Sequence, residues 1–529
     1  MLSEKKTLII TLTFFFLISL IGSILQARYT YDSFHWGLVA QSAIDLLNNK
    51  TPYKDIFIHY GFFSTLTQSI ILFLFKKNII YLIYFSAIFY SLANLILCII
   101  AYKFLNFKSV LIISVVIFLV HPFANHPWYN YQFFFLITLS LYFLTLENYL
   151  GAFLSGFFIS LSTLVYENFL YLSILILLLF IILNYRNKKK ILYFVNGYFL
   201  PLLLFNCFLY YFDLHKYWIK TFTLNSAFLQ IYDVNIFQLF YSYFKILLSK
   251  NFFTQNYFFI FFLIFFSNLY LIYKYTLKLF KEKILNKNLK LILFFSFLSQ
   301  ILFLSTLHNP TIFRFSTGPI IGLITLLYIY ENFKYQYKYI IPTIVLLLLF
   351  SSTVVPIKTE NNKFLPLFSE IEENVKNQDL IFFKSQIWNK KNWKHLNAID
   401  NVTKLISKEC NDIAKFINLT DDAFIYMIAN QYIDSNQYLY WYKNEDYYNI
   451  LYQHYEKNIH NQFKDIKKNN NLIIFFDTRN EFFIRENLNI KNFAKVELPY
   501  SYQQKRKIIL IPKKCYLKID SLLQYKKLN

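Results

Sequence analysis

Long apolar runs recur along the first two thirds of the chain, and they constrain its fold more than any other feature. Such runs repeat as far as residue 355, and a helix needs about 20 apolar residues to cross a bilayer. The sequence therefore predicts an α-helical polytopic membrane protein with about 11–12 transmembrane helices. The predicted spans are 7–25, 79–102, 109–120, 132–146, 150–165, 169–185, 191–211, 257–274, 290–307, 316–330 and 338–355.

Composition limits which functions can be inferred from the remaining residues. The first span, 7–25, is long enough to cross a bilayer and no A-x-A-like cleavage site follows it, so it is predicted to be an uncleaved anchor. Aromatic residues make up 22% of the chain, a bias typical of an AT-rich genome, so their abundance alone does not indicate a ligand site. The net charge of +23 is concentrated in short loops between spans. Membrane topology explains that charge, and no nucleic-acid partner is predicted.

The basic loops determine the predicted topology. The apolar piece 62–75 would rise only about 21 Å as a helix, short of a core of about 30 Å. If 62–75 is interfacial or re-entrant and Lys5 and Lys6 are cytoplasmic, the basic clusters at 186–190 and 281–290 also lie inside. The loops then predicted to lie outside are 26–61, 121–132, 166–168, 212–256 and 308–315.

The composition changes near residue 356. Of the 30 acidic residues, 20 lie in 356–529, which is predicted to be a small soluble α/β domain following a transmembrane domain over 1–355. An odd number of spans precedes this domain, so it is predicted to be extracytoplasmic. Cys410 and Cys515 could pair in an oxidising compartment. Apolar runs and helical patterns alternate there at 379–383, 397–417, 423–429, 444–461, 472–477 and 507–512.

A carboxylate and an imidazole stand three residues apart just after the first span, in RYTYDSFHWG (28–37). The pattern over 33–48 fits a helix lying along the membrane interface, with Ser33 as its cap. One interpretation is structural, with Asp32 next to the positive end of that helix and His35 as a surface residue. The other is a functional site on the outer face.

The loop 26–61 resembles the first outer loop of GT-C type glycosyltransferases, which are multi-spanning enzymes that use polyprenyl-phosphate-linked sugars. In that superfamily an acid closely follows the first transmembrane helix, and a short membrane-parallel helix, a Pro/Tyr loop and a polar patch come next. The matching positions here are Asp32, the helix at 33–48, NNKTPYKD (48–55) and IHYG (58–61). The resemblance implies a GT-C-like fold over 1–355, a polyprenyl-phosphate sugar donor and a bilayer-embedded enzyme.

Transfer from a lipid-phosphate sugar needs a base for the acceptor hydroxyl and positive charge for the leaving phosphate. Asp32 is predicted to be the base. Arg314, with His308 nearby in HNPTIFRFS, is predicted to contact the phosphate, because arginine binds phosphate in a bidentate manner. Alternatively, Arg314 is an interfacial residue whose charged end reaches the headgroups. A divalent cation, Mg²⁺ or Mn²⁺, with Asp32 as a ligand, is a further way to stabilise the phosphate.

Further polar residues of the outer loops are candidates for the same site. Glu167 is predicted to be a second catalytic carboxylate, unless it is paired structurally. His59 and Tyr60 are predicted to line the acceptor groove. His121 and His126 are predicted to bind phosphate or metal, the alternative being a rigid interfacial turn.

These features predict a glycosyltransferase of the cytoplasmic membrane. It would move a sugar from a polyprenyl-phosphate-linked donor to an envelope glycan, lipid or protein on the extracytoplasmic face. One alternative is a polysaccharide polymerase or ligase, although such proteins carry several arginines in large outer loops. The other is a lipid-linked glycan transporter or flippase, for which broken helices in matched halves would be expected. The sequence contains no Gly-rich phosphate loop and no H-E-x-x-H motif.

Overall fold

The chain forms a helical bundle followed by a small mixed sheet with flanking helices. The computed structural model describes residues 2–29, 31–33, 35–56, 58–120, 126–146, 148–227, 241, 257–282, 285–306, 312–332, 374–376, 380–413, 415–420, 422–433, 472–477, 484, 490–499 and 507–527.

The bundle is built mainly from apolar helices. In chain order they are α1 (Leu2–Ala27), α2 (His35–Leu47), α3 (Phe62–Leu74), α4 (Ile80–Ala101), α5 (Phe107–Val120), α6 (Tyr129–Leu144), α7 (Tyr149–Val165), α8 (Leu170–Leu183), α9 (Lys188–Tyr211), α10 (His215–Ala227), α11 (Tyr257–Glu282), α12 (Lys287–Thr306), α13 (Ile312–Ser316) and α14 (Leu323–Asn332). Short 3-10 turns precede α8 (Glu167–Phe169) and α14 (Pro319–Gly322).

Helices fall on the predicted spans wherever the structure describes the chain, except that the predicted span 316–330 is interrupted by a turn and the 3-10 helix Pro319–Gly322. Within the described residues, five helices are long and apolar enough to cross a membrane: Lys6–Ala27, Ile80–Ala101, Lys188–Tyr211, Ile260–Glu282 and Lys287–Thr306. The chain is therefore a multi-spanning membrane protein. Helix α3 has 13 residues, about 20 Å, so it is as short as the sequence predicts. The predicted span 338–355 lies outside the described residues.

Small residues allow two neighbouring helices of the bundle to approach closely. Helices α7 and α9 pack so tightly that a methyl group on Gly156 would overlap the backbone of Phe194, and one on Gly197 would overlap that of Phe153. Such positions favour helix association in lipid, where apolar burial alone gives little driving force. The bundle core around them contains fully buried Phe134, Phe169, Phe180, Phe194 and Phe261.

In its described residues, the C-terminal region forms two small sheets and three α-helices. Strands β1 (Asn374–Lys376) and β2 (Ile387–Asn389) pair antiparallel. The second sheet has the order β3-β4-β6-β5, in which β3 and β4 are parallel and the other pairs antiparallel. Its strands are β3 (Lys415–Leu419), β4 (Leu472–Asp477), β5 (Phe493–Glu497) and β6 (Lys507–Pro512), and the helices are α15 (Lys390–Glu409), α16 (Ala423–Ala429) and α17 (Lys513–Lys527).

Parts of the predicted α/β pattern need correction. The run 379–383 contains a 3-10 turn, Ile381–Phe383, because its backbone turns to place Phe382 and Phe383 in a hydrophobic core. The run 423–429 is helical, since Asp422 caps its first turn by accepting a hydrogen bond from Phe424 N at 3.1 Å. The helix predicted at 397–417 is α15 and ends before β3. The helical pattern at 444–461 lies outside the described residues.

The C-terminal region and the first loops of the bundle share one hydrophobic core. Trp36 of α2 and Ile79 before α4 are buried together with Trp388 and Phe424. Helices α2 and α16 touch so closely that a methyl group on Gly37 would overlap Ala423. This core fixes the C-terminal region against the loop that carries Asp32.

A disulfide joins Cys410, after α15, to Cys515 in α17. The pairing that the sequence left open is therefore formed. It ties the last helix to the remainder of the C-terminal region.

Candidate functional site

The connection between α1 and α2 carries Asp32. Trp36 N donates a hydrogen bond to the Asp32 carbonyl at 3.2 Å, which starts the first turn of α2. The C-terminal region holds the backbone on both sides: Ile387 N donates to the Arg28 carbonyl at 2.7 Å and Ala423 N to the Ser33 carbonyl at 3.0 Å. The Asp32 side chain keeps 17% of its surface exposed. A tethered backbone and a solvent-accessible carboxylate suit a group that must be aimed at a ligand.

His126, just before α6, lies beside Asp32. Its Nδ1 is 4.0 Å from Asp32 Oδ2 and accepts a hydrogen bond from Trp36 Nε1 at 2.9 Å. An indole N–H can only donate, so Nδ1 carries the lone pair and a neutral His126 ring has its proton on Nε2. The ring is therefore oriented by Trp36, and its other nitrogen is a donor.

Tyr60 occupies the centre of an aromatic wall. Its ring centroid is 4.2 Å from that of Tyr129 and 5.5 Å from that of Trp128, and Tyr129 stacks on Tyr166 at 4.7 Å. Burial raises the pKa of the Tyr60 hydroxyl, the charge of Arg314 opposes this rise and the charge of Asp32 adds to it. The charges of Asp32 and Arg314 thus both act on the same hydroxyl.

Arg314 lies in the short helix α13, whose Phe313 packs against that wall. Its neighbour Phe313 is 6.0 Å from Trp128 between ring centroids. Burial raises the pKa of Tyr166, and Arg314 opposes that rise as well. A half-buried guanidinium next to an aromatic surface is a suitable phosphate-binding group.

Glu167 forms a second polar cluster behind the wall. Its carboxylate accepts hydrogen bonds from the Tyr53 hydroxyl, from Phe62 N at 3.0 Å and from Trp218 Nε1 at 3.1 Å. Glu167 lies in the turn between α7 and α8, where burial raises the pKa of its carboxyl to about 7 against the lowering effect of these donors. The cluster joins the outer loop, α3 and α10 to this turn. Glu167 N also donates to the Tyr60 carbonyl at 3.0 Å.

The structure therefore brings four of the predicted site residues together: Asp32, Tyr60, His126 and Arg314. His59 adjoins them, with its ring 4.3 Å from that of Tyr60. The predicted residues His121 and His308 lie outside the described residues. His35 is the first residue of α2, and its side chain is likewise outside the described part of the structure.

Four aromatic residues of the site were not singled out from the sequence: Trp36, Trp128, Tyr129 and Tyr166. In a chain with 45 Tyr and 63 Phe, their composition gives no signal. The position of Trp36, four residues after Asp32, is the cue in the sequence that these two residues are neighbours.

The described residues supply few metal ligands. Among them, no three His, Cys, Asp or Glu side chains lie together in an arrangement that could hold a metal ion. Mg²⁺ and Mn²⁺ favour oxygen ligands, and beside Asp32 stands an imidazole whose Nδ1 is already used by Trp36. A divalent cation stays a prediction.

A second Asp–His pair lies in the C-terminal region. Asp422 Oδ2 accepts hydrogen bonds from His395 Nε2 at 3.1 Å and from Lys507 Nζ at 2.7 Å. All three side chains are at most 1% exposed. This cluster caps α16, the helix that holds the Ser33 carbonyl.

A third polar cluster joins the two regions. Asp45 of α2 is fully buried, and Lys50 Nζ lies 3.0 Å from its Oδ1. The same ammonium group donates to the Tyr426 hydroxyl of α16 at 2.9 Å. Charge pairing thus reinforces the apolar contact between the outer loop and the C-terminal region.

Comparison with known proteins gives matches at the level of structure. No family model and no curated protein matches the chain. ArnT from Cupriavidus metallidurans in the apo state is similar with a TM-score of 0.54 at 7% identity, over 94% of this chain and 97% of that one. The Archaeoglobus fulgidus oligosaccharyltransferase in the apo form matches with a TM-score of 0.48 at 13% identity, over 97% and 77%. ArnT bound to undecaprenyl phosphate gives 0.41 at 8%, over 94% and 97%.

The likeness to apo ArnT extends along almost the whole of both chains. At 7% identity it is evidence of fold. The chain thus shares the fold of apo ArnT, and the resemblance of the loop 26–61 pointed to a fold of this kind.

Proposed function

We propose that this protein is a membrane glycosyltransferase that moves a sugar from a polyprenyl-phosphate-linked donor to an acceptor hydroxyl. The observation that carries the proposal is the accessible Asp32 carboxylate beside His126, with the charges of Asp32 and Arg314 both acting on the buried Tyr60 hydroxyl. A carboxylate and a guanidinium on one aromatic wall match the two charge requirements of the reaction. A lipid carrier of this class is undecaprenyl phosphate, which is bound in one ArnT structure.

The proposed transfer step accounts for the proton, the broken bond and its electron pair with these residues. The Asp32 carboxylate takes the proton of the acceptor hydroxyl as the oxygen attacks the anomeric carbon of the sugar. The bond from that carbon to the phosphate oxygen breaks, and its electron pair leaves with the polyprenyl phosphate. Arg314 stabilises the departing phosphate, and the aromatic wall of Tyr60, Trp128 and Tyr129 provides a face for the sugar ring.

His126 and Glu167 have different roles in this proposal. His126 Nε2 donates a hydrogen bond toward the ligand, since Trp36 fixes the opposite nitrogen. Glu167 is a positioning residue, because its carboxylate is occupied by Tyr53, Phe62 and Trp218. It holds the loop that ends at Tyr60.

The site and the C-terminal region are proposed to face the extracytoplasmic side of the cytoplasmic membrane. The Cys410–Cys515 disulfide supports this, because disulfides persist in oxidising compartments. The region with that disulfide is hydrogen-bonded directly to the Asp32 connection, so both lie on one side. The basic loop at 186–190 supports the opposite, cytoplasmic placement of the other helix ends.

Transfer from a panel of undecaprenyl-phosphate-linked sugars to membrane acceptors tests the proposal. The wild-type chain should transfer at least one of them, and Asp32→Asn should lower the rate about 10²–10⁴-fold, the usual contribution of a general base. Undecaprenyl phosphate binding should be kept in that variant. A wild-type rate in Asp32→Asn would refute the role of the carboxylate, and no transfer from any such donor would refute the donor class.

A further inference from the structure

A cavity of about 370 Å³ opens at the end of the bundle opposite the Asp32 site. Helix α6 starts at Tyr129 in the aromatic wall and ends at Leu144, which lines the cavity. A helix of 16 residues is about 24 Å long. The cavity is therefore separate from the proposed catalytic site and is not used by the transfer step.

Four cations line this cavity, and none of the described residues that line it is acidic. The cations come from the α8–α9 connection, from the first turn of α9 and from the first turn of α12: Arg186, Lys190, Lys287 and Lys290. Two amides, Asn184 and Asn187, add hydrogen-bonding groups. The positive ends of the α9 and α12 dipoles point to the same place. Such a concentration of positive charge favours an anion.

The remainder of the lining is apolar. Phe180 and Phe294 form part of it, with four leucines: Leu144, Leu183, Leu285 and Leu291. The outer surfaces of the adjoining helices are apolar too, with Ile182 59% and Leu192 57% exposed. A free phosphate gains no stabilisation from contact with these apolar surfaces, whereas the acyl chains of a lipid do, because they bury apolar area there.

We propose that the cavity binds the headgroup of an anionic phospholipid. The phosphodiester would sit among the four cations, and the acyl chains would run along the apolar faces of α8 and α9. Basic pockets between transmembrane helices are suited to acidic lipid headgroups. The binding would anchor the α8–α9 and α11–α12 connections in one leaflet.

Native mass spectrometry of the full chain in detergent tests this, with phosphatidylglycerol as the probe. The double variant Lys190→Gln/Lys290→Gln removes two cavity cations. The matched control, Lys188→Gln/Lys281→Gln, removes two exposed cations that do not line the cavity. At about 1 kcal/mol for each lysine, the cavity variant should bind phosphatidylglycerol about 30-fold more weakly, while the control stays near wild type.

Three results would overturn the proposal. Equal losses in the cavity variant and the control would indicate general surface attraction. Equal binding of phosphatidylcholine by the wild type would show that the headgroup charge is not recognised. Displacement of phosphatidylglycerol by millimolar inorganic phosphate would assign the cavity to a free anion. Phosphatidylglycerol binding that is selective, resistant to phosphate and lost only in the cavity variant would establish the site.

Discussion

Two Asp–His pairs lie on either side of the contact between the bundle and the C-terminal region. In the first, Asp32 and His126 are 4.0 Å apart, with 17% and 30% of their side chains exposed. In the second, Asp422 and His395 are 3.1 Å apart and fully buried, with Lys507 2.7 Å away. The same residue types thus occupy two very different environments.

The difference supports a structural role for the buried pair and the proposed catalytic role for the accessible one. Burial would raise the pKa of Asp422, but the charge of Lys507 and the hydrogen bond from His395 hold it well below its usual range. A buried carboxylate compensated in this way stabilises the fold and has no access to a substrate. Asp32 is tethered through its backbone and keeps an accessible side chain, which is what a base requires.

The largest expected effect on stability comes from breaking the buried cluster. Lys507→Met leaves Asp422 charged and buried without its closest cation, which should lower the free energy of unfolding by about 3–5 kcal/mol. Thermal unfolding of the purified chain measures this. The control is Lys514→Met, which removes a mostly exposed partner of Asp412 and should leave the unfolding temperature unchanged. Equal stability of the two variants would contradict the structural role of the cluster.

A pH effect should come from Glu167. Burial raises the pKa of its carboxyl from about 4.5 in the unfolded chain to about 7, so the folded state binds a proton more tightly. Stability should therefore fall as pH rises from about 4.5 to 7, by on the order of 3 kcal/mol, and then level off.

Glu167→Gln should remove most of that pH dependence, whereas Glu282→Gln, at an exposed acid, should keep it. The unfolding temperature measured across this pH range tests whether Glu167 causes the pH dependence. An unchanged slope in Glu167→Gln would assign the pH effect to other groups.

A smaller effect is expected from Arg314. Arg314→Gln should weaken undecaprenyl phosphate binding about 10-fold to 100-fold, since charge-assisted hydrogen bonds contribute about 1.5–3 kcal/mol. Arg314→Lys should lose less affinity for undecaprenyl phosphate, because lysine keeps the positive charge but lacks the planar, bidentate guanidinium. Lys216→Gln, at an exposed cation of α10, is the control. Wild-type binding in Arg314→Gln would place the phosphate elsewhere.

Much of the bundle could be predicted from the sequence, because span length and lysine-rich loops depend on local composition. The helix after Asp32 and the outer loop that resembles GT-C enzymes were likewise local patterns. The helix at the apolar run 423–429 could not be predicted from the sequence, since a short apolar segment suits a strand as well as a buried helix. There, the cap by Asp422 and the packing of α16 on α2 decide the outcome.

The partners of the site residues that are distant along the chain could not be predicted from the sequence. Nothing local links Trp36 to His126, 90 residues away, or Glu167 to Tyr53 and Trp218. The contact of Ala423 with Ser33 and Gly37 joins segments almost 400 residues apart, and it is this contact that fixes the backbone of Asp32. The roles of site residues require those partners, so they follow from the structure and not from spacing.

The most direct test of the account compares Asp32→Asn with Asp422→Asn in two assays, thermal unfolding and sugar transfer from an undecaprenyl-phosphate-linked donor. Asp32→Asn should unfold at the wild-type temperature and transfer sugar about 10²–10⁴-fold more slowly. Asp422→Asn should unfold at a lower temperature, and its transfer should fall only in proportion to the folded fraction. A wild-type rate of transfer in folded Asp32→Asn would contradict the central claim that the accessible carboxylate is the catalytic one.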